Sequence, residues 1–434
     1  MSKFKDIANI IESKNLITTC GRIKKVAGIT IKSTGPKNVK IGDVCFIETA
    51  NGIMESEVVG FEEDGILLMP LGTLDGIEAD SIVRSANKGL SVPVSMDLLG
   101  RVVNALGKPI DEKGSIEVEG FYPIYPKPVP PFDREIIKEP LEFGIKAIDG
   151  LLSVGKGQRI GIFAGSGVGK STLMGMVARN SSADVNVIAL IGERGREVRE
   201  FIENDLKEEG LKKSVVVVAT SDEAPLLRRE GAFVATAIAE FFRDKGMDVM
   251  LMMDSATRFA MAQREIGLAV GEPPTTKGYT PSVFTLLPRL MERAGNFKNG
   301  SITAIYTVLV DGDDLLEPIA DSSRSILDGH IVLSRAIAER GRYPAIDVLK
   351  SISRLMNSIA DDEHKQLALK IKKILSVYQS SEDLINIGAY VEGSNKDIDE
   401  AVKYIKKVEE FLAQGVDEFY SMQDTLNKMR EIFV

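Results

Sequence analysis

The sequence predicts an α/β fold in which a phosphate-binding core follows an N-terminal β-barrel and precedes a C-terminal helical domain. Three observations predict it. Between Arg159 and Ala178 the chain reads RIGIFAGSGVGKSTLMGMVA: a short apolar run, a glycine-rich loop, then apolar residues at helical length, the order of a strand, a P-loop and a helix. From Thr18 to Arg84, short β-rich runs such as VCFIE and GILLMP alternate with turn signals at Gly35-Pro36, Asn51-Gly52, Asp64-Gly65 and Asp75-Gly76, a spacing that suits a small closed barrel. Beyond Arg354 the glycines thin out and a helical period takes over.

The expected organisation is an amphipathic helix over 1–17, a barrel over 18–85, a P-loop domain over 86–353 and a helical domain over 354–434. In the first segment Phe4, Ile7, Ala8, Ile10 and Ile11 recur at helical spacing, and such a helix needs a surface to lie against, its own barrel or a partner. Ser85 to Ser91, reading SANKGLS, is the expected boundary after the barrel, and PIYPKPVPP is an extended connection excluded from a sheet interior. After the P-loop, NVIALIG, SVVVVAT, MDVMLMM and SITAIYTVLV read as buried parallel strands, with a helix capped by Asp222, started by Pro225 and ended by Gly246. Alternation of this kind gives a sheet with helices on both faces. In the helical domain, Leu367, Ile371, Ile374 and Leu375 share a face, as do Val402, Ile405, Val408 and Leu412, and Ser394 with Asp397 can form a capping box.

Composition narrows the chemistry. With 434 residues and 44% apolar content the chain can bury a large core in two or three domains, and a net charge of −9 argues against a dominant nucleic-acid footprint. Cys20 and Cys45 are its two cysteines, read as reduced structural thiols in a cytosolic setting. With His330 and His364 as the two histidines, neither a zinc cluster nor a Ser/His/Asp triad is assembled. Charges run through MSKFKDIANIIESK and no stretch approaches eighteen apolar residues, so neither a signal peptide nor a membrane span is expected.

The loop residues explain themselves chemically. Gly165, Gly167 and Gly169 permit backbone conformations closed to residues with a Cβ, so that consecutive N–H groups converge on phosphate oxygens. Ser166, Val168 and Thr172 complete the expected ATP/ADP cradle, Lys170 supplies a point charge for the β- and γ-phosphates, and Ser171 offers a hydroxyl to Mg²⁺. Ala164 stands where the pattern has glycine, which costs little if its φ is negative. Asp254 closes the strand MDVMLMM, where a P-loop enzyme holds Mg²⁺, although a helix cap for the segment from Ser255 is the competing role. Glu193 follows another strand; by spacing alone it either orients the attacking water or pairs with Arg194 or Arg196.

GERGREVREF, DSATRFAMAQREIGLAVGEPPTTKGYTPSVF, LSRAIAERGRYPAID and especially PAIDVLKSIS resemble the hexameric rotary-type ATPases, a RecA-like P-loop family that includes the ATP synthase α and β subunits. The closest branch is the ATPase of type III protein export. FAGSGVGKSTLMGMVAR, LEFGIKAIDGLLSVGKGQRIGIFAG and LLMPLG look most like its flagellar version, with the injectisome version and a rotary synthase or V-type catalytic subunit as alternatives.

The resemblance implies specific roles. Lys170 and Ser171 match the phosphate-loop lysine and Mg²⁺-binding hydroxyl, Asp254 the Walker B aspartate, Glu193 the glutamate that polarises water, and Arg194 the adjacent arginine. Arg354, in SISR, matches the arginine that a neighbour inserts into the site, and Tyr343 matches the aromatic stacked on adenine. Val416 stands where the synthase has a second aromatic, so a two-sided sandwich is not expected.

The implied partners are a homohexamer's other subunits, a stator-like regulatory protein at the N-terminal helix, export substrates with their chaperones, and the export gate at the membrane, for a cytoplasmic protein peripheral to it. A ring helicase would need a basic, aromatic-studded groove, which this acidic, Trp-free chain does not offer. Non-catalytic synthase subunits lack the acid found here at Glu193.

Overall fold

The computed structural model describes residues 19–310 and 314–434; the expected helix over 1–17 lies outside them. The chain divides into two compact units. One comprises the residues up to Ser91 with Glu223–Leu227 and Ala262–Ser282, the other Val92–Asp222, Arg228–Met261 and Val283–Val434.

In the first unit six strands, β1 (Cys20–Ala27), β2 (Thr30–Ser33), β3 (Asp43–Thr49), β4 (Gly52–Glu62), β5 (Gly65–Pro70) and β6 (Ile82–Gly89), close a barrel in the order β1-β2-β5-β4-β3-β6, with β6 pairing back onto β1. Ile23, Ile31, Cys45, Ile47, Val58, Ile66, Leu68 and Val83 fill its interior. Gly65, which opens β5, has a steric reason to be glycine: a Cβ there would fall 2.0 Å from the Ser33 carbonyl oxygen. β6 extends through most of the stretch expected as a boundary. Its polar residues Asn87 and Lys88 are exposed in a bulge, since Ser85 pairs with Cys45 and Gly89 with Asp43 of β3 and Asn87 takes a left-handed φ of 52°. Cys45 is buried, which pushes its thiol up to about 12, whereas Cys20 is exposed, so only one of the two thiols is a core group.

The second unit is built on one large sheet. Its main strands are β7 (Arg101–Asn104), β8 (Arg159–Ala164), β9 (Val185–Glu193), β10 (Ser214–Thr220), β11 (Asp248–Asp254), β12 (Gly300–Leu309), β13 (Gly329–Leu333) and β14 (Ile346–Ser353), in the order β14-β13-β8-β12-β11-β9-β10-β7. All neighbours along this path are parallel except β13 and β14. Continuous burial along β9, β10 and β11 is what a parallel strand covered on both faces requires.

The helices of ten or more residues, among the described residues, are α1 (Lys170–Asn180), α2 (Pro225–Asp244), α3 (Ala256–Ala269), α4 (Pro281–Met291), α5 (Asp362–Asn386), α6 (Lys396–Leu412) and α7 (Met422–Glu431). α2 starts at Pro225, so its capping position falls on Ala224; Asp222 instead bonds the Thr220 side chain. In α5 and α6 the expected faces pack inward through Ile371, Ile374, Val408 and Leu412, but Val402 is 43% exposed.

The expected Ser394–Asp397 box is not formed. Ser394 donates its hydroxyl to the Val391 carbonyl, and Asn395 accepts from the Asp397 amide as the cap of α6. The capping box occurs at α7, between Ser421 and Asp424. Among the described residues no helix is long and apolar enough to cross a membrane.

Candidate nucleotide site

β8 delivers its carboxyl end, Ala164, into the loop that opens α1. Ala164 is fully buried and is not among the positive-φ residues, so the missing glycine costs nothing. Of the three expected glycines, Gly167 and Gly169 take left-handed φ of 77° and 87°; Gly165 does not. Gly169 caps α1 without any side-chain hydrogen bond, leaving the first-turn amides directed at the loop's concavity, where the helix dipole favours an anion.

Strand register brings the acids to the same end. β11 and β9 run parallel with Leu190 beside Asp254, and one strand, β12, separates β11 from β8. Lys170 Nζ bonds Asp254 Oδ1 and lies 3.7 Å from Glu193 Oε1. Asp254 is 4% exposed and also accepts from the Thr307 hydroxyl at 2.7 Å, from the strand between. Its partners here are a lysine and a threonine, and none of them is a helix amide. Burial, then the Asp254 charge, raises the Glu193 carboxyl to about 7; Lys170 and Arg258 oppose the rise, and Glu193 is hydrogen-bonded to Glu197, whose own value falls. A proton retained on Glu193 and shared with Glu197 explains both directions.

The remaining expected residues are placed as follows. Ser171 is exposed, Val168 is buried, and Ser166 accepts from Arg335 Nη2 through its carbonyl at 3.4 Å. Thr172 bonds Asp205 through its side chain. The Tyr343 ring lies against the loop, 3.6 Å from where a Cβ on Gly169 would sit, and is 46% exposed. Val416 is 41% exposed, its carbonyl accepting from Arg179 Nη2 at 2.7 Å. Arg194 extends into solvent beside Glu197, 3.7 Å away.

Arg354 is not brought to this cluster. It follows Ser353, which pairs with Gly329, the start of β13, whereas the P-loop leaves the sheet where Ala164 pairs with Leu333, the end of β13. Its Nη2 donates to the Arg324 carbonyl at 3.3 Å, and its amide to the Asp328 carbonyl. The five steps along β8 from Arg159 to Ala164 separate the two ends by about 17 Å.

Residues 144–353 match the ATP synthase alpha/beta family, nucleotide-binding domain, and residues 360–431 match the type III secretion system EscN ATPase C-terminal domain. The chain is 55% identical to the flagellum-specific ATP synthase of Bacillus subtilis, over 98% of this chain and 97% of that protein. It is 49% identical to the type 3 secretion system ATPase of Xanthomonas euvesicatoria, over 95% and 92%. The chain belongs to the family of flagellar and type III secretion ATPases.

Its fold matches the assembled ATPase EscN of the enteropathogenic E. coli type III secretion system, with a TM-score of 0.89 and 43% identity over 95% of this chain and all of that one. A second structure of EscN, in complex with its central stalk EscO, matches equally. Membership makes the chain a nucleotide-binding ATP hydrolase.

Sequence reasoning missed four participants. Thr307 anchors Asp254 from the strand between, and Glu197, in the short helix that follows β9, is hydrogen-bonded to Glu193. Arg258 stacks its side-chain carbons where a Cβ on Gly192 would lie, bringing its charge to Glu193. Gln414 meets Tyr343 from a loop more than seventy residues away in sequence. The two acids are four residues apart, but Glu193 ends a strand and Arg194 caps the helix that carries Glu197, so no helical spacing announced the pair. A cavity of ≈ 640 Å³ lies elsewhere, between β14 and the helices α5 and α6, and includes no P-loop residue.

Proposed function

We propose that the chain hydrolyses Mg²⁺-ATP at interfaces between identical subunits of a hexameric ring, and in doing so energises or primes flagellar protein export. The observation that carries this reading is the separation of Arg354 from its own P-loop. One chain holds the cradle, the lysine, the metal-facing acid and the water-facing acid, yet Arg354 hydrogen-bonds the Arg324 carbonyl at the other end of the sheet. A ring in which each subunit offers that end to the next completes every site, and the relatives described as assembled and as flagellum-specific support it.

The mechanism follows from the residues. The loop amides and Lys170 bind the β- and γ-phosphates, so the pair between Lys170 and Asp254 opens as phosphate takes the ammonium. The Ser171 hydroxyl and the Asp254 carboxylate are hard oxygens at one end of the sheet, the donor set that Mg²⁺ takes; bound there, it would neutralise charge on the β- and γ-phosphates. Glu193, as carboxylate, orients a water in line with the γ-phosphorus. As the new P–O bond forms and the bond to ADP breaks, the water's proton passes towards Glu193. Arg354 from the neighbour stabilises charge on the transferring oxygens, a contribution of about 10³–10⁵ in rate in P-loop enzymes. Tyr343 stacks on one face of adenine, with Val416 offering an aliphatic contact in place of a second ring.

The proposed setting is cytoplasmic, peripheral to the membrane export gate. Export substrates with their chaperones, a stator-like protein on the N-terminal helix and a central stalk are the partners, with no nucleic acid. Removing residues 1–12 is expected to weaken the stator-like contact, and unchanged binding would remove that proposal.

The test of the main reading is ATPase rate against protein concentration, with light scattering for mass, for wild type, Glu193→Gln and Arg354→Ala. Activity should rise steeply with ring formation and be lost in both variants although each still binds nucleotide. A concentration-independent rate untouched by Arg354→Ala would overturn the shared site. Deleting the gene in its host should abolish flagellar filaments; normal filaments would overturn the flagellar assignment.

A further inference from the structure

We propose that Gln414 is the positioning residue that holds Tyr343 against the phosphate loop and so sets the affinity for the purine base. The inference rests on the reading of Tyr343 as the adenine platform. Gln414 lies just beyond α6 and is 6% exposed. Its backbone N–H donates to the Tyr343 carbonyl at 2.9 Å. Its side-chain Oε1 accepts from the Lys146 amide at 2.9 Å, while Nε2 donates to the carbonyls of Gly144 at 2.8 Å and Glu418 at 3.0 Å. Every partner of the side chain is a backbone group of fixed polarity, so the amide has one orientation; turning it over would face carbonyl to carbonyl and N–H to N–H.

The residue therefore fixes three segments to one another. Gly144 and Lys146 enter a buried helical turn, Lys146–Leu151. Glu418 belongs to a loop that is itself tied to α1, since Arg179 donates to the Val416 carbonyl and Asn180 to the Glu418 carbonyl at 3.2 Å. α1 carries Lys170 at its start. Tyr343 has its ring half exposed over Gly169, with no hydrogen bond among those described to hold the phenol. Its place over the loop is set through its backbone, and the Gln414 N–H is the described bond to its carbonyl.

A glutamine that only satisfies buried carbonyls would affect stability and turnover alike. One that places Tyr343 affects the base and leaves the phosphates alone. Full-length Gln414→Met, Tyr343→Ala and the double variant are compared for kcat, KM for ATP, and inhibition constants for ADP and pyrophosphate.

Tyr343→Ala is expected to raise the ATP KM and the ADP constant about tenfold, the scale of base–aromatic stacking. Gln414→Met should raise both about three- to fivefold, the scale of losing a net hydrogen bond, with kcat and the pyrophosphate constant unchanged. The double variant should be no worse than Tyr343→Ala, because both remove one interaction. If Gln414→Met does not fold, Gln414→Asn, which keeps a neutral amide but shortens its reach to the three backbone partners, is read in the same way. An unchanged ATP KM in the Gln414 variant, an equal rise for pyrophosphate, or effects that multiply in the double variant would overturn the role of Gln414 and leave Tyr343 standing. An unchanged KM in Tyr343→Ala would remove the base platform and Gln414 with it.

Discussion

Replacing Glu193 by glutamine in the nucleotide-free protein reports directly on the buried carboxyl. Burial and the Asp254 charge raise Glu193 from 4.5 to about 7, and its side chain is 14% exposed. The folded protein thus keeps a proton that the unfolded chain releases near pH 4.5. Below that value both states are protonated and the residue imposes no pH-dependent cost. As pH rises towards 7 the unfolded state alone gains by ionising, so stability falls.

The difference between the two values is worth about 3 kcal/mol, reached above pH 7. Glutamine cannot ionise, and it can still donate to Glu197. The stability of Glu193→Gln relative to wild type should therefore be flat below pH 4.5 and climb by about 3 kcal/mol by pH 8. The assay is urea unfolding at pH 4.5, 6, 7 and 8 without nucleotide or magnesium. A difference that is constant across that range, or grows towards acid, would refute the placement of this carboxyl beside Asp254.

Other outcomes follow from the same geometry. The wild-type kcat/KM should rise with pH through an ionisation near 7, since the water-orienting group acts as the carboxylate; a profile flat from pH 6 to 8 would contradict that assignment. Gly175→Val should destabilise the protein by about 2 kcal/mol or more, because a Cβ there meets Asp205 backbone and side-chain atoms at 2.7–2.8 Å; an unchanged melting temperature would mean that the contact between α1 and Asp205 is loose. Asp254→Asn should abolish the dependence of nucleotide affinity on magnesium while leaving affinity in EDTA within a few-fold, measured by titration; a retained magnesium effect would place the metal elsewhere.

What could be read in the sequence was chemistry enforced by local backbone. Gly167, Gly169, Lys170 and Ser171 lie in one short stretch that closes the loop and opens α1, where the backbone dictates the residue types, and Asp254 and Glu193 each end an apolar run, so all of them announce themselves over a few residues. Gln414 and Thr307 acquire their roles from strand order and domain packing, which no local window contains. The cap of α6 shows the limit at small scale. Ser394 and Asn395 are both able to cap, and the choice went to Asn395 once the Ser394 hydroxyl found the Val391 carbonyl. The SANKG stretch resembled a linker because Asn87, Lys88 and Gly89 are exposed, yet Ser85 and Gly89 pair with Cys45 and Asp43 of β3 across a bulge in which Asn87 takes a left-handed φ.

A site built from two subunits can be restored by mixing two inactive variants. Lys170→Ala loses its own P-loop chemistry but retains Arg354, and Arg354→Ala retains the P-loop but offers its neighbour no arginine. In mixed rings, about one interface in four joins an intact P-loop to an intact arginine if subunits assemble at random. ATPase activity should therefore appear on mixing, towards about a quarter of the wild-type rate. No activity in rings shown by mass to contain both variants, or full activity in Arg354→Ala alone, would contradict the account.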